Sequence, residues 1–326
     1  MQVIIPLAGK GTRLRPHTHL VPKPMLKVAG RPVMDWVMDK LAGLSVSEII
    51  YITGHLKEQV EQYARSRYPY PSRFIEQRVQ DGTAGAINLA RPHVKEPVLI
   101  IFVDTVFEAD LTLINRTTAD GIIWAKEVED YQRFGVVVTD KDGFMTKIVE
   151  KPSTPISKLA NIGLYYIKDT AALWRGIDHV LQSPANKGEY YLTDAFQHMI
   201  DHGRKILTAE VGGWYDCGKL DTLLETNEIL LRMGSARRRE FPGVTIHDPV
   251  LIQDGVTIEH STIGPNVTLE AGTRVVNSRL EHTIVGEKSA ILDSTLHHSM
   301  LGDRVSVRGF KGTTTLGDDS EVTGAS

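Results

Sequence analysis

Residues 6–26 read PLAGKGTRLRPHTHLVPKPML, with Gly9 and Gly11 two positions apart and cations at Lys10, Arg13, Arg15 and Lys23, followed directly by Lys27. Glycines so placed let the backbone turn sharply and approach a ligand with no side chain in the way. Successive backbone N–H groups in such a turn form a concave nest for phosphate oxygens. Arg13 adds a planar fork suited to bidentate phosphate contact. Lys23 stands between Pro22 and Pro24, which stiffen the backbone around it. Lys10, Arg15 and Lys27 read as solvated charges. The stretch is neither a Walker A loop nor a dinucleotide fingerprint, since GxxxxGK[ST] and the third glycine are both absent. A tight strand-to-helix turn would use the same two glycines.

Two carboxylates hold a related position. Asp104 closes the apolar run PVLIIFVD, and Asp216 lies in GGWYDCGK. Each also suits a turn or helix cap. Cys217 is the only cysteine, so no internal disulfide forms, and it reads as a small buried residue. No Cys/His spacing points to zinc. A formal net charge of −3 excludes bulk electrostatic affinity for nucleic acid. The N-terminal apolar run is too short for a signal peptide or a membrane span, and a cytoplasmic protein with no membrane partner is expected. The histidines at 260, 282, 297 and 298 read as solvated.

The elements that must position these groups alternate along the chain. Residues 3–8 (VIIPLA), EIIYIT from Glu48, RFIEQ and PVLIIFVD read as strands. RPVMDWVMDKLAGL, HLKEQVEQYARSR and TAGAINLAR read as helices, with Pro32 suiting a first helical turn. The alternation predicts a Rossmann-like α/β fold, a mostly parallel sheet with helices on both faces, whose ligands sit at the carboxyl ends of the strands. LLETNEILLRM reads as the last helix of this part.

Beyond it the texture changes. Apolar residues recur six apart, as at Ile263, Leu269 and Val275, and NSRLEHTIVG from Asn277 aligns with DSTLHHSMLG from Asp293. A hexad period with glycine and small polar residues between predicts a β-helix of hexapeptide repeats. A β-sandwich with regular turns is the alternative. The expected division is residues 1–233 as an α/β domain, 234–245 as a linker and 246–326 as the β-helix.

The motif AGKGTRLRPHT…PKPML closely resembles the signature of the sugar-1-phosphate nucleotidylyltransferases. QRVQDGTAGAI from Gln77 resembles that family's second nucleotide-binding stretch. FVDT resembles its metal-binding strand end, EKP from Glu150 and NIGLYYI from Asn161 its sugar-binding segments, and GEYYLTDA and WYDCGKLDTLLETN its closing motifs. A hexapeptide tail, left-handed in this family, is a frequent appendage. The resemblance implies transfer of a nucleotide from a nucleoside triphosphate to a sugar-1-phosphate, with release of pyrophosphate and with Mg²⁺ as cofactor. It implies that Leu7, Ala8, Gly9, Gly11, Thr12, Gln77, Gly82 and Thr83 bind the nucleotide. Arg13, Lys23 and Lys151 would be catalytic, with Glu150, Lys151 and Asn161 on the sugar phosphate and Asp104 and Asp216 on the metal.

The chain departs from the family pattern in two places. Its first loop reads AGKGTRL where thymidylyltransferases commonly have AGGxGTRL, and VDT stands where GDN or GDD is usual. Gln77 and GTAGA resemble a pyrimidine-type pocket, so dTTP or UTP is expected, with glucose-1-phosphate as the sugar. An inactive scaffold relative and a bifunctional enzyme with an acetyltransferase tail are the alternatives. A homo-oligomer is expected, because open solenoid ends tend to be capped.

Overall fold

The computed structural model describes residues 1–186 and 188–324. Packing divides the chain into two compact units, one of Met1–Gly9 with Val37–Trp214, the other of Lys10–Trp36 with Tyr215–Ser326.

The first unit is built on a nine-stranded sheet. Gln2–Pro6 is central and pairs in parallel with Glu48–Thr53 and Val98–Ile101; Ser72–Glu76 adds in parallel outside Glu48–Thr53. The inner three of these strands are rich in Val and Ile and buried on both faces, as a parallel sheet covered by helices requires, while the edge strand Ser72–Glu76 is only partly buried. Beyond Val98–Ile101 the sheet is mixed. Leu159–Ile167 runs antiparallel to Val98–Ile101 and to Gly121–Glu127, while Gly135–Thr139 and Met145–Glu150 form a hairpin. The hairpin turn is local chemistry, since the Asp140 carboxylate accepts the N–H groups of Asp142 and Phe144, both at 2.9 Å. The core gathers Ile4, Ile50, Ile100, Ile123 and Tyr165 with Leu173, Leu192 and Phe196. The last three come from the helices Thr170–Gln182 and Leu192–Asp201.

The helix expected over RPVMDWVMDKLAGL is shorter, Val33–Asp39. Pro32 does not open it, because Arg31–Pro32 pairs with Lys27–Val28 as a small hairpin and the Val33 N–H donates to the Leu26 carbonyl at 2.9 Å. The PVLIIFVD strand closes at Ile101, and Asp104 stands just before a further strand, Thr105–Glu108.

The second unit stacks parallel strands into a left-handed β-helix, the expected repeat fold. The self-match of Asn277 with Asp293 is a structural register, with Leu280 opposite Leu296, Ile284 opposite Met300 and Val285 opposite Leu301. Asn277 and Asp293 adopt the same corner conformation, with φ 48 and 52, which Asn and Asp tolerate better than other residues. The Asn277 amide donates to the Asp293 carboxylate at 3.2 Å. A ladder of buried serines closes an adjacent corner, in which the N–H of Ser278, Ser294 and Phe310 donates to the hydroxyl of Ser261, Ser278 and Ser294 respectively. Inward-pointing Ile263, Val275, Leu280, Ile291, Leu296 and Val307 fill the coil. Residues between the last helix and the repeats join this stack, since the Arg237 N–H donates to Val250 and its carbonyl accepts from Ile252. Among the described residues no helix is long and apolar enough to cross a membrane.

Candidate active site

In the second unit the cationic loop folds into three short turns, Thr12–Leu14, His17–His19 and Lys23–Met25. Gly11 makes this possible. It sits at φ 61, and its carbonyl accepts both the Leu14 N–H at 2.9 Å and the Thr18 hydroxyl at 2.8 Å. A Cβ on Gly11 would stand 3.0 Å from Thr18 Cγ2 and 3.2 Å from Lys23 Cβ, so the loop closes on itself and brings Lys23 beside Gly11. Thr12 and Arg13 stay exposed. Asp216 accepts the Gly218 N–H at 2.7 Å, and its carbonyl accepts the Thr226 hydroxyl at 2.9 Å. It does not cap the helix Leu220–Leu230, which begins after Lys219 without a side-chain cap. A methyl group on Gly218 would be 2.9 Å from Asp216 Oδ1 and 3.5 Å from Arg13 Nη2, so the guanidinium and the carboxylate both border this glycine.

Two residues of this stretch are drawn in from solvent, and one of them, Lys27, departs from its solvated reading. His17 is buried, its Nε2 has no hydrogen-bond partner, and burial pushes its imidazole down to about 4. Lys27 is no bystander either. Its ammonium lies 2.5 Å from Glu270 Oε2 and 2.6 Å from Glu287 Oε1. Burial opposes the Lys27 charge, but the two carboxylates outweigh it and hold the ammonium above the ordinary lysine range. Burial also pushes the Glu270 carboxyl up, to about 7, against the pull of Lys27. The two shifts pull the pair in opposite senses. We take it as charged, because at these distances one ammonium sits between two carboxylates. Lys10 and Arg15 are exposed, as expected, and Cys217 is buried.

In the first unit a second group of residues assembles around Leu159–Ile167. Asn161 Nδ2 donates to the Gly135 carbonyl at 2.7 Å, and Asn161 Oδ1 accepts the Gly163 N–H at 3.3 Å and the Tyr165 hydroxyl. This fixes the amide and leaves one N–H of Asn161 for a ligand. The Thr193 hydroxyl donates to Glu150 Oε2 at 3.2 Å, and Lys151 Nζ lies 3.5 Å from Glu150 Oε1 and 4.9 Å from the centre of the Tyr191 ring. Lys151 takes φ 44, a left-handed conformation uncommon for lysine, fixed by its N–H on the Phe134 carbonyl at 2.9 Å. Burial raises the Glu150 carboxyl, with Lys151 and Thr193 opposing. The Tyr165 hydroxyl is raised well above its ordinary value by burial and then by the Glu150 and Asp104 carboxylates, so these three groups share one field.

The Gln77 segment packs beside the first strand. Gln77 is buried and donates to Asp81 at 3.2 Å, while the Gln80 amide donates to the Ala8 carbonyl at 2.8 Å. The Leu7 N–H donates to Ile52 at 2.7 Å, both Leu7 and Ala8 are buried, and Gly9 is exposed. Gly82 must be glycine, because it lies at φ 113 and a Cβ there would come within 2.5 Å of the Tyr190 backbone N and O. The Thr83 hydroxyl accepts the N–H of Leu192 at 2.8 Å, tying this segment to the helix that carries Thr193. Sequence reasoning passed over Tyr165, Thr193, Tyr191, Gln80 and Asp81. The period-two face of Asn161, Gly163 and Tyr165 was the available signal for the first of these.

The chain is similar to known proteins along most of its length. Residues 2–232 match the family described as Nucleotidyl transferase. A protein of Methanococcus aeolicus named bifunctional protein GlmU is 32% identical over 329 residues, covering 94% of this chain and 77% of the relative. The UTP–glucose-1-phosphate uridylyltransferase AglF of Haloferax volcanii is 34% identical, covering 66% of this chain and 89% of that one. A glucose-1-phosphate thymidylyltransferase of Streptomyces antibioticus is 28% identical, covering 94% and 93%. A crystal structure of UDP-glucose pyrophosphorylase with UDP-glucose superposes with a TM-score of 0.64 at 22% identity, covering 71% of this chain and 98% of that one, and supports the fold.

Proposed function

This chain belongs to the nucleotidyl transferase family, as an enzyme of the sugar-1-phosphate branch, and on that premise we propose that it couples dTTP or UTP to glucose-1-phosphate. A phosphate oxygen of the sugar attacks the α-phosphorus, the bond from that phosphorus to the bridging oxygen breaks, and pyrophosphate leaves with the electron pair. Reactions of this kind need mostly positioning and charge stabilisation. In this reading Gly9, Gly11 and Thr12 present backbone amides to the triphosphate. Arg13 holds the departing pyrophosphate with both arms of its guanidinium, and Lys23 assists. Leu7, Ala8, Gln77, Gly82 and Thr83 line the nucleotide, with Gln77 on the base. Lys151 grips the sugar phosphate, and Glu150 and Asn161 hold sugar hydroxyls. Thr193 and Tyr165 fix the rotamers of Glu150 and Asn161.

Asp104 and Asp216 are the side chains that would hold Mg²⁺, which when bound polarises phosphate oxygens as a Lewis acid. The donor set fits. Among the described residues no cluster of three or more acidic, His or Cys side chains forms a metal cage. Mg²⁺ is a hard cation that takes one or two carboxylates and completes its shell with substrate oxygens and water. The observation that carries the reading is that Arg13 and Asp216 both border Gly218 in the unit that holds the closed Gly11 turn. Its test is a matrix of nucleoside triphosphates against sugar-1-phosphates, read by pyrophosphate release. Highest turnover with dTTP or UTP and glucose-1-phosphate is expected, and preference for a purine triphosphate would refute the nucleotide assignment.

The Methanococcus relative, named bifunctional and matched along 94% of this chain, favours acetyl transfer by the tail as the second reading. Acetyl-CoA consumption in the presence of an amino-sugar phosphate tests it. The proposed working state is a homo-oligomer. Among the described residues Glu321–Thr323 pairs on one side only, which leaves a strand edge for a partner to cover. Light scattering reads this directly.

A further inference from the structure

We infer that the β-helix is the seat of the cationic loop, and that Lys27, Glu270 and Glu287 are positioning residues for Arg13 and Lys23. The inference rests on the nucleotidyl-transfer reading for its catalytic consequence, but its structural part stands on contacts within the second unit. Lys27 begins the small hairpin that directly follows the loop. Its ammonium is held by Glu270 from one coil and by Glu287 from the next. Glu270 keeps 2% of its side chain exposed, so this carboxylate has no access to water in place of Lys27.

Further bonds fasten the same hairpin. The Ala29 N–H donates to Asn227 Oδ1 at 2.9 Å, and the Thr268 hydroxyl donates to the same oxygen at 2.7 Å. Asn227 is itself buried, on the helix Leu220–Leu230 that packs against both the hairpin and the coils. The Gly30 carbonyl accepts from the Gln253 amide at 3.2 Å, and Gln253 Oε1 accepts the Ala271 N–H at 3.0 Å. In the middle of the loop, a Cβ on Gly317 would be 3.4 Å from Pro16. The loop is thus fastened, at Lys27 and Gly30 just beyond it, to three successive coils, directly at Gln253, Glu270 and Glu287 and through Asn227 at Thr268. A segment of short turns with no sheet or long helix of its own takes its geometry from what it is tied to. Misplacing a phosphate-binding cation by about an ångström costs on the order of a hundredfold in rate.

The test uses the full chain with Lys27→Met, Lys27→Arg and a Lys27→Met/Glu270→Gln double substitution that leaves no unpaired buried charge. Two readouts are taken. Amide hydrogen exchange without substrate is expected to show faster exchange in residues 10–36 of Lys27→Met, with residues 250–324 as slow as in the wild type. Steady-state kinetics should show kcat/KM for the nucleoside triphosphate reduced at least about tenfold, with KM for the sugar-1-phosphate unchanged and Lys27→Arg restoring most of the loss. The double substitution should fold as stably as the wild type yet remain impaired. Exchange and kinetics of Lys27→Met indistinguishable from the wild type would overturn the inference. So would uniform loss of protection across the chain together with full recovery in the double substitution, since the cluster would then serve stability alone. A wild type that releases no pyrophosphate with any substrate pair would refute the nucleotidyl-transfer reading instead, and the exchange pattern would still decide whether the coils hold the loop.

Discussion

Replacing His17 with phenylalanine is expected to flatten the acid dependence of this protein's stability. The imidazole is 3% exposed, its Nε2 is unbonded, and burial lowers it from 6.5 to about 4. Between those values the unfolded chain takes up a proton that the folded chain refuses. The stability from a neutral buried His17 is therefore complete above pH 6.5 and lost as pH falls toward 4. At about 1.36 kcal/mol per pH unit the full loss is about 3 kcal/mol, of which about 2 kcal/mol is gone by pH 5. Guanidinium unfolding at about pH 7.5 and about pH 5 measures the difference. The wild type should lose about 2 kcal/mol more than His17→Phe over that interval. Equal losses, or an imidazole that titrates near its ordinary value by NMR, would refute the reasoning. Because His17 lies between Arg13 and Lys23, activity should fall over the same interval.

Arg13→Lys should lose turnover, on the order of a hundredfold, because an ammonium cannot reproduce the bidentate fork, while Lys10→Ala and Arg15→Ala, at exposed positions, should change kcat/KM by less than about threefold. Asp104→Asn and Asp216→Asn should each remove several kcal/mol of transition-state stabilisation, read as kcat, with melting temperatures close to the wild type and with wild-type activity abolished by chelator. Gly82→Ala should prevent the Gln77 segment from packing on Tyr190, and a nucleotide KM equal to the wild type would contradict the steric account.

What was legible in the sequence was what short-range pattern encodes. The Val and Ile runs gave the parallel strands, and the Asn277 and Asp293 segments gave the coil register, because a solenoid repeats its contacts at fixed sequence spacing. The antiparallel half of the sheet was less so. Its signal was the TDKDG turn at 139–143, a hairpin cue weaker than the strand–helix alternation before it. Lys27 read as solvated because its partners lie 243 and 260 residues away, and no local pattern reports a contact of that span. Thr193 and Tyr165 were passed over for a related reason. Each acts by fixing another side chain, Glu150 and Asn161 respectively, and a residue of that kind shows only its own polarity in sequence.

The central claim is that an oxygen of the sugar phosphate displaces pyrophosphate from a nucleotide. The most direct measurement supplies sugar-1-phosphate with heavy oxygen in its non-bridging phosphate positions, together with the preferred nucleoside triphosphate, and weighs both products. All of the label should appear in the nucleotide sugar, one atom of it now bridging the two phosphorus atoms, and the pyrophosphate should carry none. Label in the pyrophosphate, or pyrophosphate released without a nucleotide sugar, would contradict the account.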